Sequence, residues 1–123
     1  KRAVANSNRP WRIVFMHKDI YTRQLTNFVD EAEKYFMRLF DELSLDLIFT
    51  GHLHIYRNHG HIFAQKKSAK GPLYILCGRA GDQNYMNEPN SYINLKIRAE
   101  DLTLTCHTVD GKILDNFTLK KQF

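Results

Sequence analysis

The sequence is poor in cysteine and has no long apolar run. Its 123 residues include two cysteines, Cys77 and Cys106, which are too few to define a disulfide framework. Both lie in apolar runs, where a free cysteine behaves as a small buried hydrophobe, so we expect reduced thiols. No stretch approaches the roughly 20 apolar residues of a membrane span, and no signal peptide or internal repeat is visible. These absences argue against a disulfide scaffold, a membrane protein and a repeat array.

The charge of the chain is mildly basic. Eighteen Lys and Arg residues against 13 Asp and Glu residues give a formal net charge of +5. A basic surface suits an anionic substrate or a nucleic acid, and a merely solvated surface explains the charge equally well. The densest basic run, Lys66, Lys67 and Lys70, is too short to indicate nucleic acid. Nucleic acid is therefore not expected as a partner.

The first half of the chain has the pattern of a strand, a helix and a second strand. Residues 1–10 are polar and end in proline, so we expect a linker or loop, followed by one globular unit over 11–123. The apolar runs 11–16 and 45–50 predict buried strands. Between them the spacing of apolar residues predicts a helix from Thr26 to about Ser44, and this order predicts a βαβ unit with parallel strands. The predicted apolar face of the helix consists of Phe28, Val29, Ala32, Phe36, Leu39, Phe40 and Leu43.

The second half has the pattern of antiparallel strands. His59-Gly60 is typical of a tight turn and predicts a hairpin between 55–58 and 61–65. Another buried strand is predicted over 73–77. From Ile93 onward apolar and polar residues alternate, and Asp110-Gly111 is a strong turn signal, so we expect a meander. The predicted fold class is α/β (α+β), with a βαβ unit followed by antiparallel hairpins.

The most informative segment is Thr50-Gly51-His52-Leu53-His54, which directly follows an apolar run. In extended backbone, residues two apart point to the same side, so His52 and His54 could face one site. Neutral imidazole is a good ligand for zinc, iron and manganese. Paired surface or core histidines remain the alternative.

His17 is the second candidate metal ligand. It ends the apolar run of the first predicted strand, as His52 follows the second. Parallel strands end at the same edge of a sheet, where ligand sites of α/β proteins lie. The other histidines show no such placement: His59 and His61 are expected to be exposed turn residues, and His107 is expected to be solvated.

Three segments, in this order, resemble elements of the calcineurin-like metallophosphoesterases, purple acid phosphatases in particular. Residues 10–21 are similar to the element P-W-x-I-V-x-x-H-x-P-x-Y. Residues 51–57 are similar to G-H-x-H-x-Y-E-R, and residues 71–81 to G-x-x-Y-I-V-x-G-x-x-G. The resemblance covers most of residues 3–110. It implies that 11–123 form the C-terminal half of a metallophosphoesterase β-sandwich.

The resemblance also implies a role for each matching residue. His17 and His52 would bind one metal of a two-metal centre, and His54 would bind the other and lie near the attacking hydroxide. His52 and His54 are thereby the expected catalytic residues, while Tyr56 and Arg57 would line the substrate. The implied metals are Fe, Zn or Mn, and the implied reaction is hydrolysis of a phosphate ester by a metal-bound hydroxide.

The chain departs from the family pattern in two ways. Lys18 and Asp19 stand where the family often has a small or aromatic residue and then proline, and the acid before Arg57 is missing. The family takes its other ligands from earlier elements of the form D-x-H, G-D and G-N-H. The chain has no D-x-H or G-N-H element, and its one Gly-Asp pair, at 81–82, follows the histidines.

An incomplete two-metal site is therefore expected. We expect the chain alone to bind metal weakly and to hydrolyse little, its natural partner being the missing N-terminal half of the same domain. Half a domain leaves a sheet edge and an apolar face uncovered, so self-association is also expected. Two alternatives stay open: a non-catalytic basic binding module, and a structural zinc domain that adds Cys77 or His107 to the three histidines.

Overall fold

A computed structural model describes residues 1–21, 31–81 and 88–121. These residues form two compact units. The first unit consists of Lys1–Leu53 and Arg57–Leu76, and the second consists of His54–Tyr56 and Cys77–Phe123. In chain order the elements are α1 (Arg2–Ala5), β1 (Ile13–Lys18), α2 (Glu31–Glu42), β2 (Leu47–Gly51), β3 (Arg57–Phe63), β4 (Lys66–Lys67), β5 (Leu73–Leu76), β6 (Ser91–Arg98), β7 (Asp101–Thr108) and β8 (Ile113–Lys120).

The predicted βαβ unit is present in the first unit. β1 and β2 flank α2 in sequence and pair in parallel, with Ile13 opposite Leu47 and Phe15 opposite Phe49. The two strands begin and end later than predicted, because β1 continues through Lys18 and β2 through Gly51. The parallel pairing brings the ends of both strands to one edge of the sheet.

β5 is the central strand of the first sheet. The strand order is β1-β2-β5-β3-β4, with β5 parallel to β2 and antiparallel to β3. All four of its residues are buried. A strand covered on both faces needs a continuous apolar run, and the sequence Leu-Tyr-Ile-Leu supplies one.

The hairpin predicted at His59-Gly60 is wrong. β3 runs without a turn from Arg57 to Phe63, and its pairing with β5 shifts by one residue between Asn58 and Gly60. Gly60 has a φ of 77°, so it bulges the strand where a turn was predicted. The chain reverses instead at Ala64 and Gln65, whose φ values of 48° and 62° match the left-handed backbone of a two-residue hairpin.

The predicted apolar face of the helix is confirmed in part, because Phe40 is buried and Leu39 and Leu43 are partly buried and pack against the core. Glu33, Met37 and Phe40 are the buried residues of α2, and Ala32 and Phe36 are exposed. Met37 lies on the same helix face as Phe40, as the 3.6-residue period allows. The sequence prediction assigned the adjacent Phe36 to the buried face in its place. The predicted helix start at Thr26 and the face residues Phe28 and Val29 lie outside the described residues.

The second unit contains the predicted meander. β6, β7 and β8 form a three-stranded sheet in that order, and both pairings are antiparallel. The central strand buries Leu102, Leu104 and Cys106, which alternate along it as one face of a strand requires. Cys106 and Cys77 are both free thiols, as predicted.

The N-terminal ten residues are not entirely a loop. A single helical turn, α1, lies within them, and Lys1 forms an ion pair of 2.8 Å with Glu42 at the end of α2. Both side chains are well exposed, and such a surface pair contributes little to stability. Within residues 1–21, 31–81 and 88–121, no helix is long and apolar enough to cross a membrane.

A pair of buried tyrosines lies in the core of the first unit. The rings of Tyr21 and Tyr74 meet edge to face with centroids 4.6 Å apart. Burial raises the pKa of Tyr21 to about 12, and the nearby Asp41 carboxylate acts in the same direction. Burial likewise raises the pKa of Tyr74, with Tyr21 adding to the effect.

These raised pKa values predict that the fold weakens at high pH. In the unfolded chain a tyrosine loses its proton near pH 10, whereas folded Tyr21 keeps it to about pH 12. The unfolded state therefore binds fewer protons in this window, and stability that is complete below pH 10 is lost as the pH rises through it. Thermal melts from pH 8 upward measure the slope. Tyr21→Phe should reduce the loss of stability with rising pH. Tyr92→Phe, at an exposed tyrosine, should not. An equal pH dependence of stability in the two variants would contradict the assignment to the buried tyrosines.

Candidate metal centre

Two of the predicted ligands come together at one edge of the first sheet. His17 is the fifth residue of β1, and His52 directly follows β2. The pairing of Lys18 with Gly51 brings them side by side. The His17 Nε2 atom lies 3.1 Å from the His52 Nδ1 atom, and the rings meet edge to face at 5.0 Å. One ring donates to the other, in a direction that depends on the tautomers.

This separation fits two ligands of one metal ion. Two nitrogen atoms that each lie about 2.0–2.1 Å from a tetrahedral zinc are about 3.3–3.4 Å apart. The observed 3.1 Å needs only a small movement to reach that value. Both rings reach solvent, since His17 and His52 are exposed, so an ion has access to them.

The backbone that carries His52 is not extended, contrary to the prediction. β2 ends at Gly51, and His52 and His54 have φ values of 74° and 59°. The argument that an extended chain points both imidazoles to one side is therefore wrong. Residues other than glycine rarely adopt left-handed backbone, and when they do, they are often found at functional sites.

His54, Tyr56 and Arg57 are placed differently from the histidine pair. His54 is exposed and belongs to the second unit, so its role as a ligand stays a prediction. Tyr56 donates a hydrogen bond of 2.7 Å to Asp115 Oδ2 within the second unit, and burial, together with this contact, raises its pKa. Arg57 is exposed at the start of β3, in the first unit. Substrate contact by Tyr56 and Arg57 also stays a prediction.

Asp19, noted in the sequence only as a departure from the family pattern, is buried two residues after His17. It is 3% exposed, and its Oδ1 atom accepts a hydrogen bond of 2.6 Å from the Thr50 hydroxyl. Its other oxygen lies 3.4 Å from His59 Nε2. An aspartate after a strand is usually exposed, so only the pattern of a threonine at the end of the next strand could have suggested this contact.

A second ion pair joins the same segment to α2. Lys18 Nζ lies 3.6 Å from the buried Glu33 Oε1. Buried carboxylates are unfavourable unless they are paired, and Lys18 supplies the opposite charge. Lys18 and Asp19, the two departures from the family pattern, thus both contact buried or half-buried groups.

His59 and His61 are not the exposed turn residues that were predicted. Both lie in β3 and are half-buried. His59 faces Asp19, and the His61 Nδ1 atom lies 2.8 Å from the Gly71 carbonyl oxygen, to which it donates in one tautomer. His107 stacks on Tyr92 with ring centroids 5.2 Å apart, in the second unit.

The metal-ligand set in the described part of the chain is incomplete. Among residues 1–21, 31–81 and 88–121, no three His, Cys, Asp or Glu side chains gather closely enough to hold one metal ion. A structural zinc site needs four ligands, so this finding gives no support to the structural zinc alternative. Among these residues, the His17 and His52 pair alone does not complete a metal site.

Comparison with known proteins identifies relatives of one kind. No protein-family model matches the chain. Purple acid phosphatase 21 of Arabidopsis thaliana is 32% identical over 87 residues, which cover 67% of this chain and 19% of that protein. Purple acid phosphatase 22 of the same plant is 29% identical over 85 residues, covering 65% of this chain and 19% of that protein. The chain thus spans about a fifth of the length of these relatives.

Among solved structures, the chain is similar to Vps29 of Entamoeba histolytica. A single mutant of that protein is 22% identical and aligns over 80% of this chain and 51% of its own, with a TM-score of 0.45. The wild-type protein in complex with Zn²⁺ is 21% identical and aligns over 74% of this chain and 47% of its own, with a TM-score of 0.43. These scores are too low to support an argument about the site.

Proposed function

Because the chain belongs to the calcineurin-like metallophosphoesterase superfamily, we propose that it is the C-terminal part of the catalytic domain of a metal-dependent phosphoesterase. In this role it supplies histidine ligands to a two-metal centre that hydrolyses a phosphate ester. The remaining ligands, including the bridging carboxylate, come from an N-terminal half of the same domain, which is the natural partner of this chain.

One observation carries the proposal: the 3.1 Å separation of the His17 and His52 ring nitrogens. The residues lie 35 positions apart in sequence, and the parallel pairing of β1 and β2 brings them together. Neutral imidazoles that converge at the carboxyl ends of parallel strands form the kind of donor set that zinc, iron and manganese accept. The relatives of this chain include purple acid phosphatases, which favours the same chemistry.

In this proposal the chain's own residues bind and orient the metal ions, and the ions activate the phosphate ester and water. When bound, the two ions polarise the phosphate oxygens and lower the pKa of water. His17 and His52 hold one ion, and His54 is proposed to hold the other. The formal charge of +5 favours approach of an anionic phosphate ester. Three neutral histidines provide no anionic bridge between two dications, so we propose that the chain alone hydrolyses little.

Removal of either paired histidine is expected to abolish most metal binding. Zn²⁺ titration by calorimetry of the chain, His17→Ala and His52→Ala measures the affinity. Loss of a direct ligand should weaken binding by more than the ~10–100-fold that loss of an outer contact costs. His107→Ala is the matched control, because that histidine stacks on Tyr92 in the second unit and should leave the affinity unchanged.

Three outcomes would count against the proposal. Zn²⁺ binding that is measurable and of equal affinity in the chain and in both variants would contradict the proposed metal centre. Rapid hydrolysis of p-nitrophenyl phosphate by the chain alone would show that no other half is needed. Salt-sensitive binding to nucleic acid without any metal effect would favour the basic binding module instead.

A further inference from the structure

Asp19 places a buried carboxyl group at a position where the family pattern has proline. It is 3% exposed and lies two residues after His17. Burial of a carboxylate is costly unless hydrogen bonds or charges compensate it. The contacts that compensate it therefore show what the residue does in the fold.

The carboxylate of Asp19 joins three strands of the first sheet. It follows the end of β1 and accepts a hydrogen bond of 2.6 Å from Thr50 in β2. Its second oxygen faces His59, in the bulge of β3, at 3.4 Å. β1 and β3 are not neighbours, since β2 and β5 lie between them. A single side chain thus holds together segments that the sheet's own pairing does not connect.

The Asp19–Thr50 contact, like the contact between the two proposed ligands, joins residues that adjoin the paired Lys18 and Gly51. Thr50 lies two residues before His52, as Asp19 lies two residues after His17. The ladder between β1 and β2 becomes irregular at this place, with a register shift between Phe15 and Lys18. His17 lies within this irregular segment, and the Asp19–Thr50 hydrogen bond joins the two strands next to it.

We propose that Asp19 is a positioning residue that sets the distance between His17 and His52 through Thr50 and His59. The inference rests on the proposed function, since those histidines are taken as metal ligands. Proline would fix this loop by restricting its own φ, whereas Asp19 fixes it by hydrogen bonds to neighbouring strands. The departure from the family pattern replaces one constraint with another, and leaves the histidine pair in place.

The test distinguishes the effect of losing the Thr50 hydroxyl contact from the effect of a general loss of stability. Thr50→Val removes the donor and keeps the side-chain shape, and Thr50→Ser restores the donor. We expect Thr50→Val to weaken Zn²⁺ binding by ~10–100-fold and to change the Co²⁺ absorption spectrum, which reports ligand geometry. Thr50→Ser should recover both. Thr118→Val, at an exposed threonine that also makes a hydroxyl contact, is the control for the substitution itself.

A melting curve is recorded for each variant. If Thr50→Val is unfolded at the assay temperature, Asp19→Asn replaces it, because the amide keeps an acceptor for Thr50 and loses the charge that faces His59. A weakened affinity and altered spectrum in a folded Asp19→Asn variant support the proposal. Wild-type affinity and spectrum in a folded Thr50→Val or Asp19→Asn variant overturn it.

The histidine variants also distinguish failure of the positioning role from failure of the proposed metal site. If His17→Ala and His52→Ala lose Zn²⁺ but Thr50→Val does not, the metal site stands and the positioning role is wrong. If neither histidine variant loses Zn²⁺, the proposed function fails, and the positioning role fails with it because there is no metal pair to position.

Discussion

Gly71→Ala is expected to cause the largest loss of stability in the chain. An added Cβ would lie 1.8 Å from the Ile62 carbonyl oxygen and 2.8 Å from the Phe63 nitrogen, both of which are backbone atoms of β3. Backbone atoms in a paired strand cannot move aside as a flexible side chain can. β3 would have to separate from residues 71–72, which would also lengthen the hydrogen bond of 3.1 Å from Ile62 N to Pro72 O.

We expect this substitution to cost more than about 4 kcal/mol, in the exceptional range for one residue. The free energy of unfolding of a small domain is only roughly 5–15 kcal/mol, so the Gly71→Ala variant should be mostly unfolded at moderate temperature. Urea unfolding followed by circular dichroism gives the value. Gly81→Ala is the matched control, because its Cβ would meet no atom within 4 Å. Similar urea midpoints for the two variants would show that the backbone of β3 does not lie in close contact with Gly71.

Leu104→Ala should produce the second large effect, in the second unit. Leu104 lies at the centre of β7 with no exposed surface, between Leu102 and Cys106, which are also fully buried. Truncation of a buried leucine removes transfer free energy and leaves a cavity, which together cost about 2–5 kcal/mol. The rigid pairing of β7 with strands on both sides limits how far the cavity can collapse.

The same substitution at an exposed leucine provides the comparison. Leu114 is the second residue of the neighbouring strand β8 and is 43% exposed, so Leu114→Ala should lower the free energy of unfolding by less than about 1 kcal/mol. Both variants are measured by urea unfolding under the same conditions. Equal losses would mean that the apolar face of β7 is not the core of the second unit.

The order of elements could be predicted because each depends on residues close in sequence. A buried strand needs a short apolar run, and the runs before His17 and His52 were enough to predict β1, β2 and their parallel pairing. Alternation of apolar and polar residues predicted the meander in the same way. The nearness of His17 and His52 followed from these two strands, because parallel strands end at one edge.

Local signals failed where two structures compete for the same residues. His59-Gly60 permits either a turn or a bulge, and the long pairing of β3 with β5 selects the bulge. Phe36 and Met37 could each lie on the buried face of α2, and packing against the sheet selects Met37. The left-handed backbone at His52 has no sequence signal, because only the surrounding fold makes such a conformation favourable for a residue other than glycine.

The sequence by itself determined the βαβ unit, the meander and the two strand ends that carry His17 and His52, since hydrophobic periodicity acts over a few neighbouring residues. Only the tertiary structure decided that Asp19 is buried with Thr50 and His59. Asp19 precedes both partners by 31 or more positions along the chain, and no local pattern relates it to them. The energy of a buried charge depends on which groups surround it in space, so the role of Asp19 is defined only once the strands are assembled.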